Sequence, residues 1–242
     1  MKQLTPQQSA LAFIVPLIVL GLIGGMMGLL ATQPATPKAT ADKTSTAANT
    51  TASSAYVNGI AKKSVAENDF AYVVGPKDAK VTVVEFLDLE CPYCKAAAPT
   101  VKALLARYEG KPVKFMFRNF PLTTLHPHAL AGAVAATCAK EQGKFMELYE
   151  TYYTQDALDD SSATKIAQSI GLDMPKFTAC VDSNRYQSTI AIDLADGLDL
   201  GIDGTPTFFI NGHKLAGALP IESFTAAIDA LLPRTAPPRL NN

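Results

Sequence analysis

Residues 80–108 read KVTVVEFLDLECPYCKAAAPTVKALLARY, and the change of pattern inside them decides the fold. Residues 80–87, KVTVVEFL, are a nearly continuous apolar run rich in β-branched side chains, which predicts a strand buried on both faces. Residues 95–108 then place Val101, Leu104, Leu105 and Tyr108 at helical spacing, with Pro99 predicting a kink. Val113 to Phe117 (VKFMF) is a second strand, so the domain opens as a strand, helix, strand unit of the kind that pairs strands in parallel.

Cys91-Pro92-Tyr93-Cys94 stands where the first strand gives way to the helix. A cysteine there faces unsatisfied backbone N–H groups and the positive end of the helix dipole, both of which favour thiolate over thiol. Cys94, one helical turn on, is close enough to form a disulfide with Cys91. The pair is therefore suited to thiol–disulfide exchange, with Cys91 as the attacking, exposed sulfur and Cys94 as the resolving one. Pro92 fits the first helical turn, where its missing N–H costs nothing. The competing readings are half of a zinc site, for which no second C-x-x-C exists, and an inert bridge.

Glu85 interrupts the apolar strand six residues before Cys91. A carboxyl buried there would be desolvated, its pKa raised into a range useful for moving protons to and from the resolving thiol. Asp88 and Glu90, nearer the cysteines, are expected to be exposed. Thr205-Pro206, preceded by Gly201 and Gly204 and followed by the strand TFFI, is the second informative feature, because a proline at a strand start belongs to a special turn.

Outward from these motifs, residues 126–200 carry a helical pattern, with breaks expected at Gly143, Gly171, Pro175 and Gly197. Thr207 to Ile210 and His213 to Leu215 form two short strands joined at Asn211-Gly212, and Ile221 to Leu232 a last helix. His126, His128 and His213 read as turn or capping residues, and Asp156, Asp159 and Asp160 as a solvated helix boundary. Upstream, residues 10–31 are an uncharged apolar run, roughly 33 Å long as a helix and able to cross a bilayer. It is read as a retained transmembrane anchor, since it is longer than a signal peptide's apolar core and lacks a small-x-small cleavage site. The Thr-, Ala-, Ser- and Pro-rich residues 32–55 read as a flexible linker. The expected organisation is thus a cytoplasmic tail at 1–9, the anchor at 10–31, the linker at 32–55, a folded domain at 56–233 and a flexible tail at 234–242. At 48% hydrophobic residues there is enough apolar side chain to build a core. A net charge of −1 excludes the basic footprint of a nucleic-acid binder, and four cysteines are too few for a disulfide-built scaffold.

Taken together, VEFLDLECPYC, FRNFPLTTLHPHA, KEQGKF, FTACVDS and GTPTFFING resemble the DsbA-like branch of the thioredoxin superfamily over about residues 70–232. The resemblance implies an α/β protein: a thioredoxin fold with a helical domain inserted at about 126–200, here preceded by the transmembrane helix. It implies Cys91 as nucleophile, Cys94 as resolving cysteine, Glu85 as buried acid and Pro206 as a cis proline beside the disulfide. Thr205 would offer its backbone to a bound peptide as an added strand, with Pro92 and Tyr93 on the same substrate-binding face. Cys138 and Cys180, where similar proteins often carry cysteines, are expected to form a structural disulfide whose loop of about 43 residues restricts the unfolded chain by about 4 kcal/mol. The best-studied oxidases of the group have Pro-His between the cysteines. Tyr93 brings no positive charge, which leaves the thiolate to the helix dipole and neighbouring N–H groups.

The expected function is a single-pass protein of the inner (cytoplasmic) membrane, its catalytic domain facing the periplasm or cell exterior, that introduces disulfides into exported proteins. Its partners would be exported proteins with free thiols and a membrane redox partner that regenerates the disulfide. No cofactor, metal or nucleic acid is called for. The alternatives are a reductase or isomerase of exported thiols, and a thioredoxin-fold chaperone or metal-handling module using the two thiolates as ligands.

Overall fold

The computed structural model describes residues 71–233. The expected cytoplasmic tail, anchor, linker and C-terminal tail, with the first residues of the expected domain, lie outside them. Among the described residues no helix is long and apolar enough to cross a membrane.

The chain runs β1 (Tyr72–Val74), β2 (Val81–Leu87), α1 (Pro92–Arg107), β3 (Val113–Asn119), α2 (Ala129–Glu141), α3 (Phe145–Thr154), α4 (Ser162–Ser169), α5 (Met174–Asp182), α6 (Gln187–Asp199), β4 (Thr207–Ile210), β5 (His213–Ala216) and α7 (Ile221–Leu231). The strands form one sheet in the order β1-β3-β2-β4-β5. Among the described strands only β2 and β3 pair in parallel, as the crossover through α1 requires; β1, β4 and β5 are antiparallel to their neighbours. Central β2 is buried along almost its whole length, in keeping with its unbroken apolar sequence. Helices α2 to α6 interrupt the chain between β3 and β4, so the architecture is the thioredoxin fold with a helical insertion.

Alternation along the strands divides the core. Val83, Leu87, Phe115 and Phe117 face one cluster, which also takes Val101 and Leu104 of α1, Phe224 and Ile228 of α7 and the apolar faces of the insert. Val84, Phe86 and Met116 face the other way, into a smaller cluster with Phe120, Leu200, Ile202 and Phe209. Each such aliphatic or aromatic side chain contributes about 1.5–3 kcal/mol on full burial. Cys138 of α2 and Cys180 of α5 are joined in a disulfide that ties two insert helices together.

The structure departs from the sequence reading in several places. Strand β1, three residues long, carried no recognisable alternation. Helix α1 agrees with that reading, carrying Pro92 in its first turn and Pro99 inside the helix. Pro175 opens α5 at its first turn, where its absent N–H is harmless, and does not break a helix. Gly197 lies inside α6, and the reason is steric. A Cβ there would stand 2.5 Å from Cε2 of buried Phe120. Gly197→Ala gains up to about 1 kcal/mol in helix propensity but must displace a packed ring, for an expected net loss of about 1–2 kcal/mol. Denaturant unfolding checks this, and an unchanged or higher midpoint would refute the packing account.

Candidate active site

Cys91 occupies the N-cap of α1. It was expected as the exposed sulfur, yet the residue is only 3% exposed, because the turn before β4 closes over it. The Cys91 thiol donates to the Thr205 carbonyl at 3.2 Å. The Thr205–Pro206 peptide is cis, and both residues are buried. With Cys91 as a thiol, the buried Thr205 hydroxyl has no hydrogen-bond partner; it is a donor for a thiolate. Cys94, inside the first turn, is wholly buried. Pro92 is exposed, and Tyr93 is 67% exposed beside the cysteine.

The two thiols differ sharply in acidity. Hydrogen bonding from Cys94 is the largest influence lowering Cys91, whose pKa falls to about 5. The Thr205 hydroxyl and the backbone N–H groups of Cys94 and Tyr93 add to it, together outweighing desolvation. Burial is the main reason that Cys94 is held well above the ordinary thiol range, with the neighbouring Cys91 and Glu85 charges acting in the same sense.

Glu85 is in the middle of β2 and buried at 2% exposure. Its register partners are Phe117 on β3 and Phe208 on β4, so neither neighbouring strand offers a polar side chain at its level. Desolvation pushes its carboxyl up to about 8, opposed by the Tyr149 hydroxyl, which donates to both carboxylate oxygens at 3.4 Å. Tyr149 and Tyr153, both on α3, pack edge to face with ring centroids 4.9 Å apart.

Asp88 is not exposed as expected; it is buried at 2%. Its carboxylate is consumed locally, accepting from the backbone N–H of Glu90 and of Leu122 and from His126 Nδ1 at 2.8 Å. Its carbonyl accepts from the Cys91 N–H and the Tyr153 hydroxyl. Glu90 is half-buried and accepts from the His128 N–H, next to the first turn of α2. His126 and His128 are thus turn residues with carboxylate partners, Asp88 and Asp160, while His213 is exposed at the start of β5. Tyr149, Tyr153 and the Asp88–His126 pair escaped the sequence reading, because each contact joins residues 38 to 65 positions apart. Among the described residues no cluster of three or more His, Cys, Asp or Glu is placed to hold a metal ion.

A family model described as thioredoxin matches residues 67–230. The Na(+)/H(+) antiporter NhaA 3 of Salinispora tropica is 41% identical over 162 residues, covering 66% of this chain and 24% of its own length. The chain therefore spans about a quarter of the curated relatives it matches. A thioredoxin-like oxidoreductase from Silicibacter pomeroyi is 27% identical, with a TM-score of 0.63 over 69% of this chain and 95% of that one. The thiol-disulfide exchange protein alpha-DsbA2 of Wolbachia pipientis is 24% identical and superposes with a TM-score of 0.67 over 75% and 98% of the two chains.

Proposed function

The chain belongs to the thioredoxin family, with the fold of its DsbA-like members, and from that premise we propose that it oxidises the thiols of exported proteins. It is a protein-disulfide oxidoreductase. The observation that carries the direction is the acidity difference at the dithiol, with Cys91 depressed to about 5 and Cys94 raised. A stabilised Cys91 thiolate favours the reduced enzyme, and so makes the oxidised enzyme a disulfide donor.

In the proposed cycle a client thiolate attacks the Cys91 sulfur of the Cys91–Cys94 disulfide. A client–Cys91 bond forms, the Cys91–Cys94 bond breaks, and Cys94 departs as a thiolate. Such a high-pKa thiolate is a poor leaving group, and the role of Glu85, protonated at neutral pH, is to hand it a proton. A second client thiolate then attacks the client sulfur of the mixed disulfide, and Cys91 leaves readily because its thiolate is stable. The client has lost two electrons and the enzyme holds them as a dithiol. A membrane redox partner would accept those electrons.

Thr205 and Pro206 would shape the cleft, Thr205 lending its backbone to an extended client, with Pro92 and Tyr93 as the exposed rim. The apolar segment at 10–31 would hold the domain on the outer face of the inner membrane, and the linker at 32–55 would confine it near exporting chains and the reoxidising partner. Thiol–disulfide exchange at Cys91, as against metal handling, is tested with Cys94→Ser. With no resolving thiol, a Cys91 thiolate that attacks the disulfide of an oxidised exported protein stays joined to it while one client thiolate leaves, so such proteins should accumulate as mixed disulfides with Cys91, visible as reducible adducts by mass spectrometry. A Cys94→Ser variant that traps no client, beside a wild-type protein that binds Cu(I) through Cys91 and Cys94, would support the metal-handling alternative and end this reading.

A further inference from the structure

One side chain of the inserted helical domain, Tyr149 of α3, reaches the buried acid. Glu85 lies between two phenylalanines in register on β3 and β4. The small cavity of about 10 Å³ along its flank is lined otherwise by Val83, Val101, Leu104, Phe115, Met116, Phe117 and Phe208. A water there would lack the two or more polar side-chain partners it needs. The Tyr149 hydroxyl is the donor that reaches the carboxyl, at 3.4 Å from each oxygen. Its ring is fixed by edge and stacking contacts with Phe117, Phe145 and Tyr153.

We propose that Tyr149 is a positioning residue for disulfide exchange: the insert supplies the hydrogen bond that lets Glu85 release its proton to the departing Cys94 thiolate. The proposal rests on the reading of Glu85 as the proton donor. When Glu85 gives up its proton, a carboxylate appears in an apolar pocket, where it is costly unless a donor is already in place. Tyr149 is such a donor, and its own proton stays on, because burial holds its pKa well above the ordinary phenol range. The titratable groups facing Glu85 are Cys94 from α1 and Tyr149 and Tyr153 from α3; the neighbouring strands bring none at its level.

The test is the rate at which dithiothreitol reduces the oxidised full-length protein in detergent, expressed per dithiothreitol thiolate and followed from pH 6 to 10. In the wild type this rate should fall as Glu85 ionises, with a midpoint near pH 8. Tyr149→Phe keeps the ring and removes only the oxygen. A lost hydrogen bond to a charged group corresponds to about a tenfold weaker acid, so the plateau should fall several-fold while the midpoint moves up by about one pH unit. If the oxygen mattered only for packing, water admitted to a loosened site would bring the midpoint down towards the ordinary carboxylate range. That result, or an unchanged profile, would overturn the proposal. In a Glu85→Gln background, Tyr149→Phe should have no further effect; an equal slowing there would also overturn it. Should Glu85→Gln itself leave rate and profile unchanged, the proton-donor reading falls and the Tyr149 proposal with it. A slow Glu85→Gln beside a normal Tyr149→Phe rejects the Tyr149 proposal alone.

Discussion

In the reduced protein, alkylation of Cys91 by iodoacetamide should titrate with a midpoint near pH 5, against about 9 for an ordinary thiol. At pH 7 about 99% of Cys91 is then thiolate against about 1% of an unperturbed cysteine, a hundredfold difference in the reactive species. A folded-state pKa depressed from about 9 to about 5 adds stability that is complete above the ordinary thiol value and disappears as pH falls through about 5. At pH 7 roughly two of the four pH units are realised, about 3 kcal/mol in favour of the folded dithiol. The disulfide form has no thiol to titrate, so this stabilisation belongs to the reduced state alone. It makes the couple about 60 mV more oxidising than the same pair with unperturbed thiols. A reduction potential measured in glutathione buffers should accordingly lie above that of the glutathione pool. A midpoint above about pH 7, or a potential near that of thioredoxin, would turn the proposed electron flow around and make the domain a reductase of its clients.

Glu85 acts with the opposite sign. Its carboxyl is raised by burial from about 4.5 to about 8, so the stability it contributes is complete below the ordinary carboxylate value and lost as pH rises through about 8. In the dithiol the two groups offset each other between about pH 5 and 8; in the disulfide only Glu85 remains. The oxidised protein should therefore lose stability over that interval while the reduced protein changes little. Opposed titrations within one site leave the dithiol folded and reactive throughout the neutral range.

The residues of this arrangement were unequally legible. Cys91, Cys94 and Glu85 share one strand-to-helix stretch, where the switch of period and a lone carboxyl among apolar neighbours mark them without any distant contact. The turn at Thr205-Pro206 was marked by a proline where a strand begins. Tyr149 gives no such sign: it is one of several tyrosines on an amphipathic helix, and only the folding of α3 against β2 brings it to Glu85. Asp88 misled for a related reason. An aspartate in a short loop is ordinarily solvated, but here the N–H groups of Glu90 and Leu122 and the His126 ring take the place of water. Gly197 suggested a helix break because its glycine character answers to Phe120 across the core, not to its own backbone.

Arg118 is the furthest from anything the sequence discloses, and its replacement by alanine should cost about 3–5 kcal/mol of folding stability. It belongs to β3, and no part of its side chain is exposed. Its Nε donates to Asp193 at 2.8 Å and Nη2 reaches Asp196 at 2.6 Å, while the guanidinium lies 5.0 Å from the centre of the Phe86 ring. Asp193 also accepts from the Asn119 N–H, so the ion pair fastens α6 to the edge of β3 by side chain and backbone together. Alanine at 118 leaves the Asp193 carboxylate buried with its cation gone, and that uncompensated charge, more than the lost attraction, sets the size of the penalty. The same logic makes a paired replacement cheaper than the sum of its parts. Arg118→Met fills most of the volume, and Asp193→Asn keeps an acceptor for Asn119 while removing the charge, so the double variant should recover at least half of the loss seen with Arg118→Met alone. Strictly additive losses in urea unfolding would show that the two charges are not energetically coupled and would refute this account. Because Leu200 and Ile202, just after α6, pack into the smaller core cluster on the way to Thr205, weakening this anchor should also loosen the turn over Cys91. Faster alkylation of the oxidant-free protein at pH 5 in Arg118→Ala than in wild type, before global unfolding begins, is the expected sign of that coupling.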